Sequence, residues 1–518
     1  MLFLERLRRN CLAQGAKTAV EFRGDGPARR ISYAALWRQS AAAADWLAAQ
    51  GARPGDRVAI CLPKGPAAIM LHLAACRMGA VSMPLNPACP AAELLYLLSD
   101  SGARVLVATR RYLGQAGDGS LASASPARIA ALDADTPAWL SPSAAASLGG
   151  RKPSFLNKVK INDKLPALML YTSGTTGAPK GALMSHGSLT ANMDMLGEAW
   201  QWSPDDVLLH VLPIFHVHGL LVALHGALHA GASAVLRQSF DAATALRDLR
   251  AKDCTVFMAV PTMYRRLLAA LGSGQLDLRH MRLLTSGSDR LPPEDFEAIE
   301  ARLGCRVVER YGMTETGIML SNPVDGARVA GQVGIPLPGV EMRIVGQGSG
   351  TPCGHGEVGE LQTRGAHVFL GYWNDAGKTG RSFTDDGWFR TGDLGLRDSR
   401  GHFEIKGRAK DLIITGGFNV YPAEVERVLA RHAGVSQCAV AGVPDQDWGE
   451  AVTAFIVRAG QPASAEELIR HCRSALAAYK APKRVVFVDA LPRNALGKVQ
   501  KKRLVADLSE ARCGQASD

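Results

Sequence analysis

Two hydrophobic periods alternate along the first part of the chain. Behind Ser32, a hydroxyl residue suited to capping a helix, apolar residues recur at helical spacing to about residue 49. The apolar run within residues 55–62 instead predicts a buried strand. The same stretch predicts a helix over 66–78 and strands over 81–86 and 104–108. Strands and helices that take turns predict a mainly parallel sheet covered by helices.

Later strands end in polar turns. The segments that begin with an apolar run and finish with polar or charged residues are 165–181, 207–219, 255–266, 282–288 and 307–316. Open α/β sheets bind ligands at the carboxyl ends of their strands, so these turns are candidate site segments. Residues 115–155 are rich in Ala, Ser, Gly and Pro and predict a long loop or a peripheral region.

The pattern changes in the last third of the chain. From about residue 359 it is β-rich with turns, and from about 407 it indicates a compact α+β module. That module is predicted to hold helices over 422–433 and 464–478 and strands over 439–441, 452–457 and 484–488. Ser464 with Glu467 three residues later is a capping-box start. The predicted fold is α/β and α+β, with a large N-terminal domain of helix-covered sheets plus a β-rich subdomain, and a small C-terminal domain.

Composition narrows the class of protein. At 518 residues the chain is too long for one hydrophobic core, and 47% hydrophobic content with a net charge of +11 describes a globular protein with a positive surface. The basic residues are dispersed and are not interleaved with aromatics, which disfavours nucleic acid as a partner. The sequence contains no apolar run of eighteen residues, so no membrane span is predicted. The ten cysteines occur singly, which fits a reducing cytoplasm, with the mitochondrial matrix as the alternative in a eukaryote.

The loop over 171–181 combines glycines, hydroxyl residues and a lysine behind an apolar strand. Backbone amides exposed by glycines, hydroxyl donors and a positive charge suit a phosphate chain. Pro179 rules out the ordinary P-loop spacing. The alternative is an ordinary surface loop, because turn residues cluster for local reasons. The candidate phosphate-binding residues are Thr172, Ser173, Gly174, Thr175, Thr176, Gly177 and Lys180.

This loop closely resembles the signature loop of the adenylate-forming superfamily, which includes acyl-CoA synthetases, luciferases and adenylation domains. Four further segments resemble the motifs of that superfamily in type and order: 311–315, 391–393, 406–411 and 492–498. The resemblance covers nearly the whole chain. It implies an enzyme that uses ATP, Mg²⁺ and coenzyme A to activate a carboxylic acid as an acyl-adenylate.

The resemblance also implies residue roles. Glu315 and Thr172 are the implied metal ligands, and hard cations prefer such oxygens. Lys498 is the implied catalytic lysine, with Glu315 and His216 as the other catalytic candidates. Further nucleotide contacts are assigned by resemblance to Tyr311, Gly312, Thr314, Asp393 and Arg408.

A second step follows from the family's two-domain organisation. The resemblance implies an N-terminal domain over 1–406 and a mobile C-terminal domain over 407–518 that rotates after adenylation. Lys406 lies at the expected hinge, and Gly416 and Gly417 lie in the loop expected to line the pantetheine path. Coenzyme A is the expected acceptor, and a carrier-protein thiol is the alternative.

Charge in the acid pocket suggests the substrate. A fatty-acid site would be apolar, whereas this chain offers Arg266 and Arg310, and the guanidinium fork suits a second carboxylate. The surrounding segments resemble malonyl-CoA synthetases, which implies that Arg266, Ser288 and Arg310 bind the distal carboxylate beside His216. The alternative is that the arginines pair with structural carboxylates such as Glu309.

Two positions in the pocket wall differ from close malonate enzymes. Val217 and Ile318 stand where Thr and Met occur, so we expect 2-substituted malonates such as methylmalonate to be tolerated. A short- or medium-chain fatty acyl-CoA synthetase is the competing enzyme, and a non-catalytic adenylate-binding protein is the competing class. The intact Glu315 and Lys498 argue against the latter.

Overall fold

The alternation of strands and helices is present as expected in the computed structural model. The structure describes residues 1–24, 26–116, 127–132, 159–172, 179–460, 463–493 and 498–515. The chain divides into two units, the first comprising Met1–Met342 with Thr363–Phe389 and the second Arg343–Gln362 with Arg390–Asp518. The predicted boundary after residue 406 falls within a strand of the second unit, and the predicted two-domain division stays a prediction.

The described helices are α1 Phe3–Ala13, α2 Tyr33–Ala49, α3 Pro66–Arg77, α4 Ala91–Ser101, α5 Arg110–Ala116, α6 His186–Ala199, α7 Gly226–Ala230, α8 Ala242–Arg250, α9 Pro261–Ala270, α10 Pro293–Leu303, α11 Ala376–Arg381, α12 Pro422–Leu429, α13 Ala465–Ala475 and α14 Lys501–Gln515. A π-helix over His218–His225 precedes α7, and a 3₁₀ turn covers Ala409–Asp411.

The described strands are β1 Thr18–Phe22, β2 Arg29–Ser32, β3 Arg57–Cys61, β4 Val81–Pro84, β5 Val105–Thr109, β6 Arg128–Leu132, β7 Pro166–Thr172, β8 Lys180–Ser185, β9 Val207–His210, β10 Ser233–Leu236, β11 Val256–Ala259, β12 Leu283–Ser286, β13 Val308–Met313, β14 Gly317–Ser321, β15 Ile335–Pro336, β16 Glu341–Val345, β17 Gly359–Arg364, β18 Gly371–Tyr372, β19 Phe389–Arg397, β20 Phe403–Arg408, β21 Ile413–Thr415, β22 Phe418–Val420, β23 Val435–Asp445, β24 Gly449–Arg458 and β25 Arg484–Phe487.

Two large sheets form the first unit. One has nine strands in the order β15-β14-β13-β12-β11-β9-β10-β1-β2, and its central pairs from β1 through β13 are parallel. The other has seven strands in the order β18-β8-β7-β4-β3-β5-β6. The carboxyl ends of β9, β11, β12 and β13 meet at one edge of the nine-stranded sheet, because these strands are parallel neighbours. That edge collects the polar turns expected to form a site.

Local signals set many of these elements. Ser32 Oγ accepts a hydrogen bond from the Ala35 amide and begins α2, and Ser464 Oγ accepts from the Glu467 amide and begins α13. Buried apolar residues cover the nine-stranded sheet, and Phe257 and Tyr264 pack edge to face with 5.9 Å between ring centroids. The Tyr264 hydroxyl donates to the Thr285 carbonyl, so this buried polar group is satisfied.

The second unit contains a small α+β fold. One sheet has the order β22-β21-β24-β23 with β25 paired to β24, and the sheet β16-β17-β19-β20 is a β-rich element. The helices end earlier than expected. The first of them, α12, ends at Leu429, and beyond it the Gly434 amide donates to the His432 ring. The second helix stops at Ala475, and Leu476 is already extended.

Two expectations from the sequence were only partly right. The stretch expected to be a long loop or a peripheral region contains strand β6, which pairs in parallel with β5 at the sheet edge, and its residues 117–126 and 133–155 lie outside the described residues. Its weak pattern reflects an edge strand that is only partly buried. The segment with two histidines was expected to be a strand entering a loop, which holds for β9 and His216, but His218 begins a buried π-helix. The apolar residues after His218 pack into the core on all sides, which a loop could not do.

Candidate active site

Arg310 is a buried cation. It lies on β13, and its side chain is almost fully enclosed. Within the described part of the chain, its Nε and Nη2 atoms have no hydrogen-bond partner. Burial lowers the pKa of the guanidinium to about 9, because a charge without a counter-ion is poorly solvated there. An unpaired buried guanidinium is a ready receptor for an anion.

The expected alternative partner of Arg310 does not pair with it. Glu309 precedes Arg310 on β13, and successive side chains of a strand point to opposite faces. The Glu309 carboxylate instead accepts a hydrogen bond of 2.9 Å from the Gly331 amide. Burial raises the pKa of Glu309 to about 8, which favours its neutral form. Arg310 therefore keeps its charge available on the other face.

Ser288 and His218 lie beside the Arg310 guanidinium. Ser288 has a φ of +67°, and its Oγ lies 3.2 Å from His218 Nδ1. The Nε2 atom of His218 is buried and has no partner within the described residues. Burial, and then the charge of Arg310, hold the pKa of His218 well below its usual value, so the ring is neutral. We did not assign His218 from the sequence. The only signal was its position two residues after His216.

Gly287 makes room for the guanidinium. A Cβ at this position would lie 2.5 Å from Arg310 Cζ, closer than atoms can pack. The turn after β12 therefore packs against the Arg310 side chain of β13 through a glycine. The Gly287–Ser288 turn and the start of the π-helix together form a small polar cluster of Arg310, Ser288 and His218.

The remaining candidates for the acid pocket lie in different surroundings. Arg266 is exposed on α9, and its guanidinium lies 5.0 Å from the centroid of the Phe240 ring. The His216 ring packs at 4.5 Å from that of Phe215, and Val217 is half-buried. Ile318 is buried on β14. The structure therefore brings Ser288 to Arg310, whereas the contact seen for Arg266 is with an aromatic ring. The roles of all these residues stay predictions.

Glu315 anchors a second polar cluster in the first unit. Its side chain is buried, and its Oε1 accepts a hydrogen bond of 2.8 Å from the Tyr372 hydroxyl. The Glu315 carbonyl also accepts from the Phe369 amide. The Lys378 ammonium lies 4.3 Å from the centroid of the Tyr372 ring. Burial and the nearby Lys180 ammonium lower the pKa of Lys378 to about 8. Neither Tyr372 nor Lys378 was singled out in the sequence.

The neighbouring nucleotide candidates are held by a β-hairpin. The strands β13 and β14 pair with a register shift at Gly312, where a Cβ would run into the Gly317 carbonyl. Tyr311 and Thr314 are half-buried in this hairpin. Thr172 ends β7 opposite Lys180 at the start of β8. Ser173, Gly174, Thr175, Thr176 and Gly177 lie outside the described residues.

Glu315 has the properties expected of a magnesium ligand. Mg²⁺ at nucleotide sites commonly takes one or two carboxylates together with phosphate oxygens and water. A single carboxylate held in place by a phenol meets that requirement. No cluster of three or more metal-ligating side chains occurs among the described residues. Thr172 stays a predicted second ligand.

In the second unit, Asp393 and Arg408 face each other across β19 and β20. Arg408 Nε lies 2.8 Å from the buried Asp393 Oδ1, and the guanidinium also donates to the Thr391 carbonyl. The expected ribose-binding pair is therefore preorganised as an ion pair. Lys406 on β20 pairs with Glu404 at 2.8 Å. Lys498 is exposed beside the bridge between Arg493 and Val499.

Gly416 and Gly417 form the turn between β21 and β22. Both have positive φ values, +56° and +80°, which favour glycine. A Cβ on Gly416 would lie 3.1 Å from the Trp448 ring. Exposed aromatic rings of Phe418 and Trp448 flank the turn, and Lys483 lies 4.8 Å from the Trp448 ring centroid. The sequence analysis missed these aromatics.

The AMP-binding enzyme family matches residues 7–373, and the AMP-binding enzyme C-terminal domain family matches residues 424–498. The chain belongs to the AMP-binding enzyme family. It is an AMP-forming acyl-CoA ligase, a class that uses ATP, coenzyme A and Mg²⁺.

Relatives with different acids are similar to this chain. It is 38% identical to the malonate–CoA ligase of Arabidopsis thaliana over 83% of this chain and 74% of that protein. It is also 38% identical to the sulfoacetate–CoA ligase of Cupriavidus necator over 88% of this chain and 89% of that protein. Among solved structures, ATP-bound MatB from Rhodopseudomonas palustris is 41% identical with a TM-score of 0.90, covering 98% of this chain and 99% of that one. Across the described ranges, no helix is both long and apolar enough to cross a bilayer.

Proposed function

We propose that this chain is an AMP-forming malonate–CoA ligase. The observation that carries the proposal is the buried Arg310 guanidinium, whose Nε and Nη2 lack partners among the described residues. Malonate presents one carboxylate for activation and a second carboxylate that can pair with this cation. The alternative monocarboxylate, butyrate, would place a methyl group there.

The energetics favour a distal anion. A buried charge without a partner is unfavourable. Removing one member of a buried ion pair, for example, costs about 3–5 kcal/mol. A second carboxylate removes this penalty with charge-assisted hydrogen bonds. Ser288 and His218 add neutral polar groups next to the same guanidinium. Sites built to pair a polar group reject analogues that lack it, so we expect a preference of at least about 10²-fold over butyrate.

The two half-reactions need different groups. In adenylation, a carboxylate oxygen of the acid attacks the α-phosphorus of ATP and pyrophosphate leaves. Lys498 is proposed to contact the α-phosphate and the acid, and Asp393 with Arg408 to hold the ribose. Magnesium, when bound through Glu315, supplies positive charge to the phosphate oxygens. In thioesterification, the thiol of coenzyme A attacks the acyl carbon and AMP leaves.

A domain movement is proposed to separate these steps. A mobile module over residues 407–518, with Lys406 at the hinge, would withdraw Lys498 after adenylation. Gly416 and Gly417 would then line the pantetheine path, where their lack of side chains allows close approach. A carrier-protein thiol is the alternative acceptor. Cytoplasm is the proposed compartment, with the mitochondrial matrix as the alternative.

Two relatives support the proposal of an acid with a distal anion, whereas the indoleacetate–CoA ligase of Aromatoleum aromaticum, 36% identical, is named for an acid without one. The Arabidopsis malonate–CoA ligase and the Cupriavidus sulfoacetate–CoA ligase are named for acids that carry a second anionic group. Sulfoacetate is therefore the second candidate substrate. Val217 and the buried Ile318 are proposed pocket-wall residues that admit methylmalonate. An Ile318→Met variant with an unchanged ratio of malonate to methylmalonate activity would contradict that last point.

The test measures pyrophosphate release with ATP, Mg²⁺ and coenzyme A for malonate, methylmalonate, sulfoacetate and butyrate. The variants are Arg310→Met, which keeps most of the side-chain volume, and Arg279→Met as a control at an exposed surface pair. We expect wild type and the control to prefer malonate. Arg310→Met should lose at least about 10²-fold in kcat/KM for malonate and little for butyrate.

Two outcomes would count against malonate. If sulfoacetate has the highest kcat/KM and Arg310→Met abolishes it, the distal-anion site stands and its substrate changes. If butyrate has the highest value and Arg310→Met changes nothing, Arg310 is structural and the malonate proposal is wrong. Thermal unfolding separates these results from misfolding, because replacing an unpaired buried charge by an apolar group should not lower Tm.

A further inference from the structure

The segment from Gly371 to Arg381 runs beside the strand that carries Lys180. Strand β18 pairs antiparallel with β8, with Tyr372 opposite Ala182, and the Trp373 amide donates to the Gly181 carbonyl at 2.8 Å. Helix α11 follows and is tied back to the strand, because the Tyr372 amide donates to Thr379 Oγ1 at 2.9 Å. Lys378, on α11, is thus held close to Lys180 by backbone pairing.

The Lys378 ammonium lies in unusual surroundings for a surface lysine. It lies 4.3 Å from the Tyr372 ring centroid, and the hydroxyl of the same ring donates to Glu315. Its helix neighbour Asp375 uses Oδ1 to accept from the Lys378 amide, not from the ammonium. No carboxylate in the described ranges forms an ion pair with Lys378. The charged groups that interact with it are the Lys180 ammonium and the Glu315 and Asp375 carboxylates.

The Lys180 and Lys378 ammonium groups are held close together, beside the carboxylates of Glu315 and Asp375. Like charges held together repel each other, and such an arrangement is retained where an anion of higher charge binds between them. The triphosphate end of ATP carries several negative charges and is the ligand already proposed for Lys180 and Glu315. A lysine ammonium can donate to any of its oxygens as a point charge.

We propose that Lys378 is a second phosphate-binding lysine, which acts with Lys180 on the β- and γ-phosphates of ATP and on the departing pyrophosphate. This inference rests on the roles proposed for Lys180 and Glu315 and is independent of which acid is activated. During adenylation the bond between the α-phosphorus and the bridging oxygen breaks, and its electron pair passes to pyrophosphate. A cation already in place stabilises that growing charge.

The experiment uses the full chain with its best acid and compares Lys378→Met, Lys378→Arg and the exposed control Lys164→Met. It measures the KM for ATP, the inhibition constant of pyrophosphate, and ATP binding in the absence of acid and coenzyme A. Lys378→Met should raise the KM for ATP, the inhibition constant of pyrophosphate and the dissociation constant of ATP by about 10-fold or more each. This is the size expected for a lost charge-assisted contact. Lys378→Arg should restore most of the loss, and Lys164→Met should behave as wild type.

A structural role would give a different result. In that case Lys378→Met would lower Tm or alter the KM of the acid, while the ATP and pyrophosphate constants stayed within about 2-fold of wild type, and the proposal would be overturned. If Lys378→Met does not fold, Lys378→Gln gives the same comparison. The acid panel across Arg310→Met tests the substrate separately, so failure of the malonate assignment leaves these nucleotide constants interpretable.

Discussion

The Tyr372 hydroxyl donates a 2.8 Å hydrogen bond to Oε1 of Glu315, although 57 residues separate them in the chain. The bond joins the strand β18 to the turn after β13. It fixes one oxygen of a buried carboxylate and leaves the other oxygen for a ligand. The same phenol ring carries the Lys378 ammonium on its face. One tyrosine thus positions both an anionic and a cationic group of the proposed phosphate site.

Tyr372→Phe should raise the Mg²⁺ requirement. The substitution removes the hydrogen bond to Glu315 but keeps the ring beneath Lys378, so only the carboxylate loses its support. A partner that orients a metal ligand commonly changes metal affinity by about 10-fold or more. We expect the Mg²⁺ concentration for half-maximal rate to rise by about 3- to 10-fold, measured by pyrophosphate release. An unchanged Mg²⁺ dependence would show that the tyrosine does not position Glu315.

His218→Leu should weaken binding of an acid with a distal anion. The substitution removes the imidazole that contacts Ser288 at 3.2 Å and leaves the serine without its orienting group. We expect the KM for malonate to rise by about 10-fold, while activity with butyrate stays within about 2-fold. The KM and kcat for both acids provide the measurement. Equal losses for the two acids would indicate a general packing defect.

Gly287→Ala should displace the Arg310 guanidinium without changing its charge or its hydrogen-bond donors. A Cβ at 2.5 Å from the guanidinium carbon forces that group to move. The control is Gly197→Ala, in the last turn of α6, where a Cβ meets nothing within 4 Å. We expect kcat/KM for malonate to fall by about 10-fold in Gly287→Ala and to remain unchanged in Gly197→Ala. A Gly287→Ala enzyme with normal malonate kinetics would argue against the Arg310 site.

Acid should destabilise the first unit through its buried histidines. His72 Nε2 and His225 Nε2 lie 2.7 Å apart, so one ring donates and the other accepts, and both are neutral. Burial lowers the pKa of His72 to about 3 and holds that of His225 well below its usual value. In the unfolded chain both rings titrate near pH 6.5. The unfolded state therefore binds more protons, and stability is lost as the pH falls below about 6.5.

The size of this effect can be measured by denaturant unfolding at pH 7.5, 6.5, 5.5 and 4.5. Each such histidine contributes a slope of up to about 1.4 kcal/mol per pH unit. Glu309 opposes this loss of stability. Burial raises its pKa in the folded protein to about 8, so protonation of this carboxyl stabilises the folded protein as the pH falls. His225→Leu should show a shallower loss between pH 6.5 and 4.5 than wild type. The exposed control His355→Leu should match wild type, and equal slopes in all three proteins would contradict the prediction.

Most of the local structure could be predicted from the residues alone. Helix α2 begins at Ser32 because a hydroxyl can accept from the first turn, and β3 forms where the apolar run starts. These signals act over a few residues, so the sequence carries them completely. Sequence motifs are likewise read from residues that are close together in the chain. Glu315 and Asp393 could be identified by their neighbours in the chain, and family membership followed from the order of such motifs.

The sequence by itself therefore determined the family, many of the individual strands and helices, and the candidate residues for nucleotide and acid. Only the tertiary structure decided which candidates meet. Arg310 gains Ser288 and His218 as neighbours and not Glu309, because parallel strands bring their carboxyl ends to one edge and adjacent side chains point to opposite faces. In the same way, the pairing of β18 with β8 brings Tyr372 and Lys378 close to Glu315 and Lys180. Contacts between residues tens of positions apart depend on how whole sheets pair, and no local pattern encodes that pairing.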